Sequence, residues 1–379
     1  MSNEILPRVC LIGTSNGVMR NGYAAELAKQ PYFSYFENRS IGFSSSHLFF
    51  YALNQKKLLN FDYVILDFAC NDGSLLYSDA LSEQEIQSTV SDAIRQVIMA
   101  GSTPIVLILP IDAGSLTTSW IRRVYRDICE RSGVLFFDAY HFAEEILSFD
   151  SRITQNDLFQ DYMHVNIAVA QGIAQALGER IKAVWDQKIS SRRHLLAGRE
   201  YRFFSCSELG KELPHPVMRA TSLVSASVHD FGPAMGYDVY LSDQWELAAV
   251  VMDFAHSEGV LSISGETNFR LGISSEHFRG DSDSLVFGIW PLRHHVKPHR
   301  NFLRINVLPK TNADAVVAVY DSLKRFPPSA ALVGFVACRE LNSEPSSSAS
   351  HDAIELSEKL ATAPVRSASA SILSANSIK

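Results

Sequence analysis

The sequence predicts an open, parallel α/β sheet followed by a second, mainly β domain. Strand-like and helix-like runs alternate from residue 8 to about 187. Helical patterns then thin out between about 201 and 340, where β-leaning runs separated by Gly, Pro, Asn or Asp take over. The 379 residues also suit two domains, each with its own core. The expected division is 1–190, 200–342 and a disordered tail at 343–379, because the chain turns Ser- and Ala-rich after Asn342. A transient helix is expected near Ala353–Leu360, and the polar, basic Lys188–Arg199 reads as a linker or the edge of a domain.

In the first domain the expected strands are Val9–Ile12, Tyr35–Ile41, Tyr63–Phe68, Pro104–Leu109 and Val134–Asp138. Helices are expected near 17–28, 83–100, 117–132 and 164–187. In the third of these, Trp120, Ile121, Val124, Ile128 and Cys129 share one face at helical spacing. Strands that alternate with helices pair in parallel through right-handed crossovers, and ligands then gather beyond the carboxyl ends of the strands. In the second domain the expected strands are Leu247–Phe254, Val260–Ser264, Ser284–Ile289, Phe302–Val307, Ala315–Tyr320 and Ala331–Cys338. Together they suggest a sandwich, although Trp245–Phe254 reads equally as a helix.

Composition narrows the function classes. Hydrophobic content of 46% and charged content of 20% are those of an ordinary globular chain. A net charge of −7 gives no general attraction to nucleic acid or to an anionic membrane. No apolar stretch is long enough for a membrane span, and Met1–Arg8 does not read as a secretory signal. Cys10, Cys70, Cys129, Cys206 and Cys338 are scattered and form no CxxC pair, so neither a disulfide framework nor a zinc motif is expected. The expected compartment is the cytoplasm.

The chemistry sits at the ends of the apolar runs. Ser15, in Gly13-Thr14-Ser15-Asn16-Gly17, directly follows the first strand. A serine hydroxyl becomes a nucleophile only beside a base, and that base needs an orienting group. Asp161 and His164, three residues apart, supply such an acid and imidazole. Asn71 and Gly42 each follow a strand and offer a side-chain amide and an unobstructed backbone N–H, the donors an oxyanion needs. Taken singly, Gly-Thr-Ser-Asn-Gly could be a capped turn, Asn71-Asp72-Gly73 a turn and Asp161/His164 a surface pair. Their order along one α/β domain is what joins them.

Gly13–Gly17 also spells the G-x-S-x-G elbow of α/β-hydrolases, but that elbow lies after several strands and its acid and histidine come from separate loops. Nor do Gly13, Gly17 and Gly22 fit a dinucleotide or phosphate loop.

Gly13-Thr14-Ser15-Asn16, Ile41-Gly42, Ala69-Cys70-Asn71-Asp72 and Asp161-Tyr162-Met163-His164 together resemble the first, second, third and fifth marker blocks of the SGNH (GDSL-like) hydrolase superfamily. The resemblance covers residues 7–187 and implies a flavodoxin-like sheet of about five strands. It makes Ser15 the nucleophile, His164 the base, Asp161 its orienter, and Ser15, Gly42 and Asn71 the oxyanion donors. Thr14 stands where the family usually has Asp, and Ala69 where it usually has Gly, so the resemblance is to a divergent member, far from the family centre.

The expected activity is removal of a small acyl group, acetyl foremost, from a carbohydrate or related metabolite. An O-acetyltransferase of polysaccharide biosynthesis could use the same triad, with acetyl-CoA or another acyl donor. A catalytically silent binding protein is the third reading. The ester hydrolase needs no cofactor and no metal. Trp290, Arg293 and His295, in an aromatic and cationic stretch expected to be a loop, are the candidate glycan contacts, although the stretch reads more readily as a solvated loop beside a buried Trp. His294, His295 and His299 show no carboxylate partner in sequence that would make a metal site compelling.

Overall fold

A computed structural model of the chain describes residues 5–112, 114, 116–188, 198–210, 212–221, 224–233, 236–273, 285–309, 327–341, 354–357 and 362–376. The chain divides into two compact units, Met1–Gly198 with Asn342–Lys379, and Arg199–Leu341.

The first unit is built on β1 (Arg8–Gly13), β2 (Tyr35–Asn38), β3 (Tyr63–Asp67), β4 (Thr103–Ile108) and β5 (Leu135–Asp138). All pair in parallel, in the order β2-β1-β3-β4-β5. Val9–Ile12, Val64–Leu66 and Ile105–Ile108 are wholly buried, as expected of parallel strands covered on both faces. This is the flavodoxin-like sheet. Its chain order reverses direction at β1, so the switch point for ligands lies between β1 and β3.

The helices are α1 (Ser15–Val18), α2 (Tyr23–Leu27), α3 (Leu48–Gln55), α4 (Ala69–Tyr77), α5 (Glu83–Met99), α6 (Trp120–Ser132), α7 (Ala139–Phe149) and α8 (Ile167–Asp186). Side chains fix the starts of the longer ones: Ser82 accepts from the Glu85 N–H, Ser119 from Arg122, Asp138 from Tyr140 and Asn166 from Val169. Gly133, at φ 60, ends α6 in the left-handed conformation that suits glycine.

Several elements differ from expectation. The second strand ends at Asn38 rather than Ile41. The Asn38 side chain accepts from the Ser40 N–H at 3.0 Å and donates to Gly17 O at 2.8 Å, so it turns the chain locally. The expected 17–28 helix is two short helices with Gly22 at the break, where its N–H donates to Met19 O at 3.0 Å. Asn71-Asp72-Gly73 lies inside α4, not in a turn. A Cβ on Gly73 would fall 3.1 Å from Ile111 and 3.2 Å from Ile121, so glycine serves close helix packing there.

The tail is not disordered where it is described. Ile354–Glu355 forms a strand, β15, in parallel beside β5, and the following Leu356 N–H donates to Phe136 O at 2.7 Å. Thr362–Asn376 forms a helix, α10, against α7 and α8. Val365, Ala368, Ser369 and Ile372 are buried at spacings of three, four and seven, an apolar stripe that the Ser/Ala composition hides. The small residues also permit close approach, since a Cβ on Gly172 of α8 would lie 3.1 Å from Ala368 Cβ. Of the helix expected at 353–360, the described Ile354–Glu355 is strand instead, and a helix comes later, at Thr362–Asn376.

The second unit is mainly antiparallel β. It contains β6 (Arg199–Ser205), a short helix α9 (Cys206–Leu209), β7 (Pro216–Ala220), β8 (Ser225–Phe231), β9 (Tyr237–Tyr240), β10 (Glu246–Ser264), β11 (Asn268–Ile273), β12 (Phe287–Val296), β13 (Phe302–Leu308) and β14 (Ser329–Glu340). β10 is the spine: its first half pairs with β12 and β14, its second with β11 and β13. Glu246–Phe254 is therefore strand, with Trp245 just before it, and the two expected strands at 247–254 and 260–264 are one. The expected strand at 315–320 lies outside the described residues. Among the described residues, no helix is long and apolar enough to cross a membrane.

Candidate active site

The carboxyl ends of β1 and β3 meet at Ser15. Thr14 N–H donates to Asp67 O at 3.0 Å, which pins the end of β1 to β3. Ser15 then opens α1 and is partly exposed. The glycines around it answer to crowding, not to unusual φ. A Cβ on Gly17 would overlap Ser40 Oγ, and one on Gly13 would lie 3.0 Å from Ser40 Oγ and 3.1 Å from Asp67 Oδ2.

Ser15 Oγ donates to Asn71 Oδ1 at 3.0 Å. Asn71 lies in the first turn of α4 and is almost wholly buried. Its Oδ1 faces the hydroxyl, so Nδ2 is the donor left to meet a developing negative charge. The Ser15 N–H belongs to the first turn of a helix and has no intrahelical acceptor. Gly42 stands beside this turn, because Ile41 N–H donates to Gly13 O at 2.9 Å. A Cβ on Gly42 would lie 3.5 Å from Val18 Cγ2 of α1.

Asp161 and His164 lie in a loop closed by a bridge between Phe159 and Val165, immediately before α8. His164 Nδ1 lies 2.8 Å and 2.9 Å from the two Asp161 oxygens. The carboxylate also accepts the Met163 N–H at 2.8 Å and the His164 N–H at 3.0 Å. Partial burial raises the Asp161 carboxyl, but these hydrogen bonds and the imidazole outweigh it and hold it below its ordinary value. With Nδ1 committed to Asp161, Nε2 is the nitrogen that can take a proton.

The two segments are tied together. Asn16 Nδ2 donates to Met163 O at 3.0 Å, joining the residue after Ser15 to the residue before His164. Tyr162 adds a hydrogen bond between its hydroxyl and Ser74 of α4 at 2.9 Å. In this structure Ser15 Oγ donates to Asn71 and not to His164. Hydroxyl–imidazole contacts of this type commonly tighten only when substrate binds.

Sequence reading missed the supports beneath these groups. The buried carboxyl of Asp72 accepts from Ser46 N–H at 2.9 Å and from the Tyr125 hydroxyl at 2.7 Å. It thereby holds the loop after Gly42 against α4. Burial raises its pKa, and these bonds lower it in part. In the same loop, Ser45 Oγ lies 3.0 Å from His47 Nδ1, and His47 Nε2 lies 3.2 Å from Glu85 Oε1 of α5. This buried chain anchors a loop in which Phe43 is held at φ 54.

Asp67, wholly buried at the end of β3, accepts a short hydrogen bond from the Tyr23 hydroxyl. Burial pushes its pKa up to about 7 and the Tyr23 bond opposes that rise. The signal in sequence was a lone acid ending an otherwise apolar run, Tyr63-Val64-Ile65-Leu66.

The glycan-contact candidates turn out differently. Trp290, Arg293 and His295 are on strand β12, not in a loop. Trp290 is half-buried with its ring edge-on to Phe254, Arg293 is exposed, and His295 faces Arg199 and Cys338. Pairing with β10 explains the strand, since Val250↔Trp290 and Ala249↔Pro291 are in register. A groove of about 600 Å³ runs along α6, lined by Thr117, Ser119, Arg122, Arg123 and Arg126 among others, and it includes none of the site residues.

No family model matches the chain, and no curated protein matches it in sequence. Among solved structures it is similar to a two-domain esterase (CEX) active on acetylated mannans. One structure of that protein, co-crystallised with mannopentaose, gives a TM-score of 0.61 at 14% identity over 90% of this chain and 93% of that one. A second gives 0.56 at 14% identity, over 89% and 92%. At this identity the likeness is one of fold, and it extends to both units.

Proposed function

We propose that this chain, which has the fold of a divergent SGNH-type hydrolase, is a serine esterase that removes acetyl groups from a carbohydrate. The observation that carries this reading is the hydrogen bond of Ser15 to Asn71 beside an Asp161–His164 pair tethered to the same turn through Asn16. The activity of the structurally similar esterase on acetylated mannans supports a glycan ester as substrate.

The reaction follows from these atoms. Ser15 Oγ attacks the ester carbonyl as His164 Nε2 takes its proton. The oxyanion is met by the N–H groups of Ser15 and Gly42 and by Asn71 Nδ2, donors fixed before the charge appears. The intermediate collapses, His164 gives its proton to the sugar oxygen, and the sugar leaves from an acetyl-Ser15. Water then attacks that ester, its proton passing to His164, and acetate and free Ser15 are regenerated. Asp161 keeps Nδ1 protonated and supports the transient imidazolium. Hydrolysis by this route needs no cofactor. An O-acetyltransferase would differ only in replacing water by an acceptor hydroxyl, with a separate acyl donor.

The test is acetate release from acetylated manno-oligosaccharide by wild type, Ser15→Ala and His164→Ala. Release without any added acceptor, lost in both variants, supports the esterase. Turnover only when donor and acceptor are both supplied would replace it by the transferase. Equal rates in all three proteins would end the serine mechanism.

A further inference from the structure

The second unit brings together three ligand types that the sequence keeps far apart. β12 and β14 flank the first half of β10, and in that register Glu246 is opposite Cys338 while Leu247 is opposite Val296. His295, one residue before Val296, therefore joins Glu246 and Cys338. Its Nδ1 lies 3.3 Å from Cys338 Sγ and 3.6 Å from a Glu246 carboxylate oxygen, and all three ligand atoms fall within 4.8 Å of one another. The carboxylate that the histidines of β12 lack in sequence is thus supplied by the neighbouring strand.

We propose that Glu246, His295 and Cys338 bind a divalent cation of the zinc class. A tetrahedral zinc holds sulfur at about 2.3 Å and nitrogen or oxygen at about 2.0–2.1 Å, which puts S···N near ~3.6 Å and N···O near ~3.4 Å. Two edges of the site are already within a few tenths of an ångström of that geometry. The third closes by rotation of Glu246, the most exposed of the three side chains. Cys338 is wholly buried, so the cation enters from the Glu246 side and keeps a water in its fourth position. A thiolate with an imidazole selects zinc-like ions over magnesium or calcium.

A cation already stands there. Arg199 of β6 donates from Nη1 to His295 Nδ1 at 2.9 Å, while its Nε donates to Glu340 at 2.8 Å. His295 therefore accepts at Nδ1, which is the lone pair a metal needs. The bond to Glu340 gives the guanidinium a place to stay when an ion displaces it. On binding, Cys338 releases its thiol proton to solvent. Thiolate and carboxylate then balance the two charges of the ion. The bound ion would clamp β12, β10 and β14 across their shared edge.

The experiment is titration of the chelator-treated full-length protein with Co²⁺, followed by its thiolate charge-transfer absorption in the near ultraviolet. The expected result is a saturable band that Zn²⁺ abolishes, that Cys338→Ser lacks, and that needs at least about tenfold more Co²⁺ in Glu246→Gln. Arg199→Met, freed of the competing guanidinium, should need less. Glu246 is partly exposed, so its variant keeps the test valid if Cys338→Ser fails to fold. The absence of saturable binding in wild type overturns the proposal. So does a band unchanged by Glu246→Gln, or weaker binding in Arg199→Met. None of these outcomes depends on the esterase activity of the first unit.

Discussion

Replacing Asp67 by Asn should make the protein more stable at pH 8 than wild type, by a margin that shrinks as the pH falls. The folded chain holds the Asp67 proton up to about pH 7, against an ordinary value of 3.8, because the carboxyl is wholly buried. Below 3.8 the group is neutral folded or unfolded. Between 3.8 and about 7 the folded chain keeps a proton that the unfolded chain gives up. Stability from this group therefore falls as pH rises through that window and is level above it. Each pH unit within it is worth about 1.4 kcal/mol, so between pH 5 and pH 8 wild type loses about 3 kcal/mol that the Asp67→Asn variant does not. The substituted amide keeps an oxygen to accept from Tyr23. Contributions of opposite sign, such as that of Asp161, are common to both proteins and cancel in the comparison. Thermal unfolding of both at pH 5 and pH 8 reads the effect as a relative shift of several degrees. A difference between the two proteins that is the same at both pH values would refute the reasoning.

Three further outcomes are expected. Asn71→Ala should lower kcat for acetyl-ester hydrolysis by about 10²–10³ with little change in KM, because it removes one oxyanion donor; a steady-state comparison checks this. Gly17→Ala should destabilise by about 1–3 kcal/mol through its clash with Ser40 Oγ, and adding Ser40→Gly should restore much of the loss, as denaturant unfolding of the single and double variants would show. Ile372→Asp, on the buried face of α10, should cost several kcal/mol of stability, whereas Asp at the exposed Ala370 should change it little; equal effects would mean the helix is not packed as described.

What the sequence could reveal followed from period and position. Continuous apolar runs such as Tyr63–Leu66 announce covered parallel strands, and the residues just after them, Ser15 and Asn71, fall at the ligand edge because every such strand ends there. Asp161 and His164 could be read because their partnership is local, three residues apart. What stayed hidden depends on distant partners. His47 says nothing of Glu85, nor Asp67 of Tyr23, until the sheet brings them together. Asn71-Asp72-Gly73 carries strong turn chemistry, yet tertiary packing of Gly73 against Ile111 and Ile121 draws it into a helix. The tail misled for the opposite reason. Its composition is that of a disordered segment, but small residues at helical spacing are what close packing against Gly172 requires. Trp290–His295 read as a loop because Pro291 and the run of cations mask a strand that its pairing with β10 dictates.

The central claim is that Ser15 forms the acyl-enzyme with His164 as its base. It is tested most directly by fluorophosphonate labelling of the intact protein, with the modified residue located by peptide mass spectrometry. A single adduct on the peptide containing Ser15, absent in Ser15→Ala and formed far more slowly in His164→Ala, is the predicted result. An adduct on another residue, or acetyl-ester hydrolysis that persists in Ser15→Ala, would contradict it.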